Sequence, residues 1–453
     1  MALSVLILAA GQGTRMRSNL PKVLQPLAGQ PLLAHVIATA TSLDAADICV
    51  VYGHGGGAVR DRFDGLPLRW ALQAEQHGTG HAVQQAMPET PDENQVLVLA
   101  GDVPLLTKEA LQALIGGSAP GELSVLTVDM DDPTGYGRII RDGDSVTSIV
   151  EQKDADEEQL EIREINTGVM LASAENMKRW LAELKNDNAQ GEYYLTDIVA
   201  MAVDEGIRVT GIKAQDPDEV MGINDKKQLA EAERALQKKR VEELMEQGVG
   251  FADPARVDIR GTLTCGSDVF IDVNAVIEGD VHLGDNTVVE SNNLIRDSKL
   301  GANNIIHSNC HIEGAVTGDA CEIGPFARLR PGASLANNVK VGNFVEIKKS
   351  TIADGSKVNH LTYIGDAQIG STVNVGAGTI TCNYDGANKH QTVIGDGAFI
   401  GSGVMLVAPV SVGKGADIGA GTTLTKSAPD EQLTVGRARQ VSVKGWQRPT
   451  KEK

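Results

Sequence analysis

Residues 394–424 read Ile394-Gly-Asp-Gly-Ala-Phe-Ile400-Gly-Ser-Gly-Val-Met-Leu406-Val-Ala-Pro-Val-Ser-Val412-Gly-Lys-Gly-Ala-Asp-Ile418-Gly-Ala-Gly-Thr-Thr-Leu424. In this stretch an aliphatic residue recurs at every sixth position, and glycine commonly stands beside it. Series with the same spacing begin at Ile271, Ile323 and Ile352, so the pattern covers most of the second half of the chain. One aliphatic residue in six is too few for the core of a β-sandwich. It suits a solenoid whose short strands stack their aliphatic side chains coil upon coil.

A longer segment, residues 379–391, interrupts this repeat and is predicted to form a loop on the binding face. Apart from that segment, the repeat resembles that of the hexapeptide-repeat acyltransferases. The resemblance implies a left-handed parallel β-helix with three hexapeptides in each coil. Roughly 150 residues at about 18 per coil would then form about eight or nine coils.

The first half of the chain alternates β-rich runs with amphipathic helical patterns. Strands are predicted at residues 4–9, 48–52, 95–100, 123–128, 145–150 and 168–172. Helices with one apolar face are predicted around residues 32–40, 111–115 and 177–184. This alternation predicts a Rossmann-like α/β domain with a mostly parallel sheet covered on both faces. Ligands of such sheets bind at the carboxyl ends of the strands.

A dense run of mixed charges at residues 226–245 separates the two halves. Asp225 can cap a helix here together with Gln228, and Gly248 can end it. The mixed charge favours a solvated connecting helix over a binding patch. We therefore expect an α/β domain at residues 1–224, a linker helix at 225–248 and a β-helix domain at 249–453.

Charge and cysteine content argue against several classes of protein. The 453 residues include 41 Lys and Arg and 60 Asp and Glu, which gives a net charge of −19. Such a surface disfavours binding to nucleic acid or to anionic membranes. The five cysteines are scattered and form no C-x-x-C motif, which favours a reducing compartment. No apolar run reaches the roughly 18–20 residues of a membrane span, so we expect a cytoplasmic protein.

Two segments of the first half carry residues that phosphate chemistry needs. Gly11-Gln-Gly-Thr-Arg15, followed shortly by Lys22, comes directly after the first predicted strand. Its glycines let backbone N–H groups approach a phosphate, and Arg15 and Lys22 can neutralise its charge. The fingerprints of ordinary dinucleotide and P-loop sites are incomplete here. Asp102 ends another predicted strand and supplies a carboxylate for a hard cation such as Mg²⁺.

Together these segments resemble the signature of the sugar-phosphate nucleotidyltransferases, and further matches extend the resemblance through the first half. It implies that Asp102 and Asn224 hold Mg²⁺ and that Arg15 and Lys22 act in catalysis. It also implies a nucleotide and sugar site formed by Leu8, Ala9, Ala10, Gly11, Lys22, Gln73, Gly78, Thr79, Gly101, Asp102, Gly137, Glu151, Asn166 and Asn224.

The implied site has a base end and a sugar end. Gln73 and the backbone at residues 78–79 would satisfy the donor and acceptor edge of uracil. Gly137, Glu151 and Asn166 would hold the sugar and its N-acetyl group. The implied reaction is an in-line attack by a sugar 1-phosphate oxygen on the α-phosphorus of UTP, which needs alignment and charge neutralisation but no covalent nucleophile.

The second half contains His360 in the sequence Asn359-His360-Leu-Thr-Tyr363, together with Arg330, Glu346 and Lys348 in neighbouring repeats. This constellation resembles the acetyltransferase half of the bacterial bifunctional enzymes that make UDP-N-acetylglucosamine. The resemblance implies that His360 is the catalytic base and that Glu346 orients it. Glucosamine 1-phosphate would contact Arg330, Lys348, Tyr363, Asn374 and Lys389. Acetyl-CoA would contact Ala377, Asn383, Tyr384, Ser402, Ala420 and Arg437.

The resemblance covers nearly all 453 residues. It implies a bifunctional enzyme that acetylates glucosamine 1-phosphate with acetyl-CoA and then couples N-acetylglucosamine 1-phosphate to UTP with release of pyrophosphate. The product is a precursor of bacterial cell-wall peptidoglycan and lipopolysaccharide. The family is a homotrimer with the acetyltransfer site between subunits, and we expect the same here.

Two other functions stay open at this point. The chain could be a nucleotidyltransferase with one activity, whose β-helix serves regulation and oligomerisation. Alternatively, the β-helix could be a binding scaffold and the first half a nucleotide sensor without turnover. The loop at 379–391 and the basic residues around His360 argue against both.

Two further patterns favour structural roles. His307, Cys310, His311 and Cys321 have no recognised zinc-ligand spacing, so we expect them to serve the solenoid core and surface. The glycine-rich run at residues 53–57 follows a predicted strand and is expected to form a flexible turn.

Overall fold

The computed structural model describes residues 2–53 and 56–451 and consists of two compact units, Met1–Leu236 and Gln237–Lys453. The boundary falls within the helix Lys226–Glu246, where the sequence predicts a linker. The domain limits at residues 224 and 248 stay a prediction. His54 and Gly55, at the centre of the glycine-rich run, lie outside the described residues. No helix in the described part of the chain is long and apolar enough to cross a membrane.

The first unit is built on a nine-stranded sheet. Its strands are β1 (Leu3–Ala9), β2 (Asp47–Gly53), β3 (Arg69–Gln73), β4 (Gln95–Ala100), β5 (Leu123–Asp129), β6 (Arg138–Asp142), β7 (Ser145–Val150), β8 (Glu164–Ser173) and β9 (Val209–Lys213). Its helices are α1 (Leu32–Thr41), α2 (Gly57–Arg62), α3 (Thr79–Ala86), α4 (Lys108–Gly117), α5 (Glu157–Leu160), α6 (Ala174–Glu183), α7 (Asp197–Asp204) and the start of α8 (Lys226–Glu246).

The sheet is parallel at one end and mixed at the other. Its strand order is β3-β2-β1-β4-β8-β5-β9-β7-β6. The first four strands in this order run parallel, whereas β8 runs antiparallel to both β4 and β5. Strands β6 and β7 are joined by a two-residue turn, a connection that only an antiparallel pair permits. The α/β prediction is confirmed, and parallel pairing is largely confined to the end of the sheet formed by β3, β2, β1 and β4.

Helices cover both faces of this sheet, as predicted. Along β1, Val5 and Ile7 enter a core cluster that also contains residues of α1 and α4. The intervening Leu6 enters a second cluster with residues of α3 and α6. Burial on both faces leaves the carboxyl ends of the strands as the place where polar side chains can gather.

The second unit is a left-handed parallel β-helix, which confirms the predicted fold class. One ladder contains Gly250–Phe251, Phe270–Ile271, Val288–Val289, Ile305–Ile306, Glu322–Ile323, Lys340–Asn343, Lys357–His360, Asn374–Val375, Phe399–Ile400, Asp417–Ile418 and Leu433–Thr434. The other contains Val257–Cys265, Ala275–Leu283, Leu294–Arg296, Lys299–Leu300, His311–Glu313, Val316–Thr317, Arg328–Leu329, Ala333–Leu335, Glu346–Lys348, Ser350–Ile352, Tyr363–Gly365, Ala367–Ile369, Ile380–Cys382, Thr392–Ile394, Met405–Val407, Val410–Val412 and Thr423–Leu424.

Each coil takes about three hexapeptides. Val276 pairs with Leu294 and Leu294 with His311, which are steps of 18 and 17 residues. At the predicted loop, Ile380 pairs with Met405, so the coil lengthens to 25 residues there. The periodic aliphatic side chains are buried and form one continuous core.

The first ladder has 11 strands, so the estimate of eight or nine coils was too low. It counted only the regular hexapeptides, whereas the coils already begin at Gly250 and continue to Thr434.

Candidate active sites

A cavity of about 520 Å³ opens at the carboxyl ends of β1, β3 and β4 in the first unit. The predicted residues that line it are Leu8, Ala9, Ala10, Gly11, Lys22, Gln73, Gly78, Thr79, Asp102, Glu151 and Asn166. Gly101 and Gly137 lie behind this wall, because the N–H of Gly101 donates to Leu8 and the carbonyl of Gly137 accepts from Asn166. Arg15 is exposed on the turn Thr14–Met16 and is not one of the lining residues.

The glycine-rich segment after β1 brings Lys22 to the cavity. Gly13 has a φ of 62°, and a Cβ at this position would lie 2.5 Å from the Cβ of Lys22. Only glycine combines this left-handed backbone with such a close approach. Lys22 begins a 3-10 turn whose Val23 and Leu24 are buried, which anchors its backbone.

The ammonium of Lys22 joins the two predicted metal ligands. It forms an ion pair with the carboxylate of Asp102 and donates to the amide oxygen of Asn224 over 3.0 Å. The N–H of Ile223 donates to the carbonyl of Asp102 over 2.9 Å, which ties the two ligand segments together. A carboxylate and an amide oxygen therefore already converge on one cation. This donor set suits a hard divalent ion such as Mg²⁺.

The opposite end of the cavity is formed by Gln73 at the end of β3 and by the start of α3. The Gln73 amide donates to the carbonyl of Gly78 over 3.0 Å. Thr79 is the first residue of α3, so its backbone N–H has no acceptor within the helix. An amide and a free backbone donor thus lie where the sequence predicts contacts with a pyrimidine base.

The third wall carries Glu151 and Asn166. Burial raises the pKa of Glu151, and the nearby carboxylate of Asp154 adds to the rise. The hydroxyl of Thr196 donates to the Glu151 carboxylate over 3.2 Å and partly opposes the rise. The side chain of Asn166 accepts from the N–H of Gly168 over 3.0 Å. Desolvated, oriented polar groups of this kind are typical of a site for sugar hydroxyl and amide groups.

The sequence reasoning missed several side chains of this cavity, among them Gln12, Gln76 and Thr196. Gln12 and Gln76 line it, and the Gln76 amide donates to the carbonyl of Ala10 over 2.9 Å. Thr196 also lines it and contacts Glu151. Thr196 lies in the segment Glu192-Tyr-Tyr-Leu-Thr-Asp197, which also fits the resemblance to the nucleotidyltransferases. No role was assigned to this segment from the sequence, although it was a usable signal.

The second unit presents His360 at one corner of the β-helix. The corner carbonyls of Asn343, His360, Ala377 and Ser402 each accept a hydrogen bond from the following coil. Register places Ala420 next in the same line. We call Asn343, His360, Ala377, Ser402 and Ala420 the corner column. The predicted base and three predicted acetyl-CoA residues therefore occupy equivalent positions of successive coils.

Within the corner column, Asn343 orients the imidazole of His360. The two side chains meet over 3.0 Å between Nδ1 of His360 and Oδ1 of Asn343. Because an amide oxygen only accepts, Nδ1 carries the hydrogen and Nε2 keeps the lone pair that a base needs.

Glu346 instead pairs with Arg330 over 2.8 Å, so its predicted role in orienting His360 is not supported. Asn343 lies 17 residues before His360, one coil earlier. The coil period was therefore the signal that could have found it.

Three of the predicted sugar-phosphate residues, Arg330, Lys348 and Lys389, form a cation cluster. The neighbouring ammonium of Lys389 and, more weakly, the guanidinium of Arg330 lower the pKa of Lys348. Asn383 contacts the hydroxyl of Tyr363 over 3.5 Å and thus lies beside the cluster. Like charges held this close favour binding of an anion such as a phosphate. Asn374 lies on the other ladder, one coil after Lys357.

The loop predicted at 379–391 carries Lys389 and Tyr384. These two residues pair as an antiparallel bridge. The carboxylate of Asp385 accepts backbone N–H groups of the turn, chiefly that of Asn388, which lowers its pKa, as does His390. The turn is therefore held by its own hydrogen bonds. Arg437, the last predicted acetyl-CoA residue, donates to the carbonyl of Ala420 in the corner column.

Three of the four residues considered as zinc ligands are buried in the coils or paired with a neighbouring coil. Burial raises the pKa of Cys310 to about 11, which keeps the thiol protonated at neutral pH. Cys321 is also buried and donates to a backbone carbonyl. His307 pairs with Glu290 over 3.0 Å. Among the described residues, no group of three or more His, Cys, Asp or Glu is arranged to hold a metal.

Comparison with known proteins relates both units to transferases. Residues 5–193 match the family model of the MobA-like NTP transferase domain, and residues 391–426 match that of the bacterial transferase hexapeptide, with six repeats. A protein of Azoarcus sp. (strain BH72) named bifunctional protein GlmU is 56% identical over 100% of both chains. Proteins of the same name from Ralstonia nicotianae and Stenotrophomonas maltophilia are each 57% identical, with at least 99% of this chain and 99% of their own covered.

Proposed function

Because the chain belongs to the family of bifunctional GlmU proteins, we propose that it catalyses two consecutive reactions of UDP-N-acetylglucosamine synthesis. The β-helix acetylates glucosamine 1-phosphate with acetyl-CoA. The α/β unit then transfers uridylyl from UTP to N-acetylglucosamine 1-phosphate and releases pyrophosphate. The observation that carries the proposal is that Lys22 and Asp102, which form an ion pair, line the same cavity of the first unit as Gln73.

In uridylyl transfer the chain aligns two anionic substrates. Gln73 and the backbone at residues 78–79 hold the uracil, while Glu151 and Asn166 hold the N-acetyl sugar on the other wall. Lys22 lies between them and neutralises charge as the sugar phosphate approaches the α-phosphorus of UTP. Arg15, exposed on its turn, could reach the phosphates only from the solvent side.

The divalent metal of this reaction is Mg²⁺ in our proposal, held by Asp102 and Asn224. When bound, the ion neutralises phosphate oxygens and stabilises the charge that develops on the leaving pyrophosphate. Both ligands already converge on the Lys22 ammonium, which supports a shared cation-binding position. Lys22 would turn towards the phosphates when the metal takes its place.

In acetyl transfer His360 is the base. Its Nε2 takes a proton from the amine of glucosamine 1-phosphate as the nitrogen attacks the thioester carbonyl of acetyl-CoA, and CoA leaves as the thiol. Asn343 holds the required tautomer. Arg330, Lys348, Tyr363, Asn374 and Lys389 hold the sugar phosphate. Ala377, Ser402 and Ala420 of the corner column contact acetyl-CoA together with Asn383, Tyr384 and Arg437.

We further propose that the protein is a homotrimer with the acetyl-transfer site between subunits. Phe326, Phe344 and Leu361 stand on successive coils directly beside the corner column and are 50%, 56% and 62% exposed. The rings of Phe326 and Phe344 stack at 5.3 Å. Such an apolar ladder is suited to burial against another copy of the chain. The location we propose is the cytoplasm, in keeping with five free cysteines.

The two activities can be separated in the full-length protein. Asp102→Ala is expected to abolish pyrophosphate release from UTP and N-acetylglucosamine 1-phosphate while sparing thiol release from acetyl-CoA and glucosamine 1-phosphate. His360→Ala is expected to do the reverse. Asp129→Ala, at another strand end, and His282→Ala, on an exposed coil, are matched controls that should retain both activities.

The outcomes distinguish the competing functions. Thiol release that persists in His360→Ala would remove the acetyl-transfer assignment. Absence of thiol release from the wild-type protein would favour a nucleotidyltransferase with one activity and a scaffolding β-helix. Phe344→Glu tests the trimer, because it should yield monomers that lose thiol release and keep uridylyl transfer. A trimeric Phe344→Glu protein would show that the apolar ladder is not the subunit contact.

A further inference from the structure

We propose that His81 is a positioning residue that fixes the orientation of the Gln73 amide and thereby the preference for uracil over cytosine. The inference rests on the proposed uridylyl transfer and concerns its base specificity. His81 lies in the first turns of α3, beside the base end of the cavity. It was not among the predicted site residues and does not itself line the cavity wall.

Gln73 has both of its amide hydrogens engaged. The side chain is buried, and its Nε2 donates to the carbonyl of Gly78 over 3.0 Å and to Nδ1 of His81 over 3.2 Å. Because an amide nitrogen only donates, Nδ1 of His81 accepts and the imidazole carries its hydrogen on Nε2. No donor of the described residues is within hydrogen-bond distance of Oε1 of Gln73. That oxygen is left as an acceptor for a ligand in the cavity.

The orientation of this amide selects between the two pyrimidines. Uracil presents a hydrogen at N3, which Oε1 of Gln73 can accept, whereas cytosine presents a lone pair there. A rotated amide would offer a hydrogen to cytosine N3, but its oxygen would then face the carbonyl of Gly78 and the lone pair of His81. The rotation therefore costs a repulsive contact with Gly78 and, at His81, either a second repulsive contact or a move of the imidazole hydrogen from Nε2 to Nδ1. Removing His81 removes this second cost.

The surroundings of His81 hold its ring in place. Its ring centroid lies 5.2 Å from that of His77 and 6.5 Å from that of Tyr193. Tyr193 is itself fixed by two backbone hydrogen bonds of 2.8 Å, one to the carbonyl of His77 and one from the N–H of Gly80. The imidazole is therefore built into the wall behind Gln73.

The test compares pyrophosphate release with UTP and with CTP in the full-length protein at one pH. In His81→Ala the ratio of kcat/KM for UTP to that for CTP should fall roughly tenfold, which is the change expected from the loss of about one hydrogen bond. The loss should arise from a higher KM for UTP with kcat nearly unchanged, whereas a partly unfolded enzyme would show a lower kcat at an unchanged KM. His81→Asn, whose side-chain oxygen can accept from Gln73, should recover part of the ratio.

Gln85→Ala is the matched control, because that side chain is exposed on the same helix, donates to the backbone carbonyl of His81, and should keep the wild-type ratio. A wild-type ratio in His81→Ala would overturn the proposal, as would a His81→Asn protein that discriminates no better than His81→Ala. If His81→Ala is inactive with both nucleotides, the proposal is decided by the ratio of kcat/KM for UTP to that for CTP in His81→Asn, compared with the same ratio in the wild-type protein. Failure of the wild-type protein to use UTP would instead refute the proposed function.

Discussion

Gly401→Ala tests whether close stacking of coils positions the acetyl-CoA residues. A Cβ at this position would lie 2.5 Å from the backbone nitrogen of Ala420, and the neighbouring Ser402 belongs to the same corner column. Non-bonded carbon and nitrogen normally approach to about 3.5 Å, so the two coils must separate by roughly 1 Å. The substitution also strains the hydrogen bond from the N–H of Gly401 to the carbonyl of Ile418, which is 2.8 Å long.

The expected cost follows from these two effects. Overpacking against immobile backbone lowers the free energy of unfolding by about 1–3 kcal/mol, and a weakened hydrogen bond lowers it by about 1 kcal/mol. Together the two effects should lower the free energy of unfolding by about 2–4 kcal/mol. For a unit of this size the melting temperature should fall by about 5–15 °C. Since Ser402 and Ala420 move apart, the KM for acetyl-CoA should rise while uridylyl transfer is unchanged.

The assay is thermal unfolding together with steady-state thiol release at varied acetyl-CoA. Gly116→Ala is the control, because a Cβ on that residue of α4 meets no atom within 4 Å. It should leave both activities and the KM for acetyl-CoA unchanged. Normal melting and a normal KM in Gly401→Ala would refute the view that the coils are too tightly stacked to accept a methyl group.

Three further outcomes are expected. Asn343→Ala removes the hydrogen bond that holds His360 in the tautomer with a free Nε2 lone pair, so kcat for acetyl transfer, measured by thiol release, should fall about fivefold. An unchanged kcat would show that another group holds this tautomer. Lys348→Met should raise the KM for glucosamine 1-phosphate by about tenfold with little change in that for acetyl-CoA, and equal changes in both would contradict a phosphate role. Burial raises the pKa of Glu151, so the native state binds its proton more tightly than the unfolded chain, and stability from this group is lost as the pH rises through the raised pKa. Glu151→Gln should therefore melt higher than wild type at pH 8, with a difference that shrinks towards about pH 4–5; a constant difference would mean that the carboxyl does not titrate in that range.

The local patterns were enough to predict most elements of the first unit. The predicted strands at 95–100 and 145–150 agree with β4 and β7, and the apolar faces at 32–40 and 111–115 lie in α1 and α4. Three strands, β3, β6 and β9, were not predicted. The direction of β8 was also not predicted, because strand direction depends on which neighbours a strand finds in the folded sheet.

Sequence reasoning named most of the cavity wall because short motifs such as Gly-x-Gly and Gly-Asp follow directly from a strand. It did not predict that Arg15 lies exposed on its turn, or that Thr196 contacts Glu151, which lies 45 residues away in the chain. Glu346 was expected to orient His360 because both belong to the constellation that resembles the acetyltransferases. In the folded β-helix the carboxylate of Glu346 forms an ion pair with Arg330 instead.

The sequence alone determined local features: the repeat of six residues, the alternation of strands and helices, and the glycines of the turn that follows β1. These features depend on the local geometry of the backbone and on which side chains must be buried. Only the tertiary structure decided that Lys22 bridges Asp102 and Asn224, that Asn343 faces His360 and that His81 accepts from Gln73. Such contacts depend on distances of about 3 Å between segments far apart in the chain, and those distances arise only when the strands have found their register.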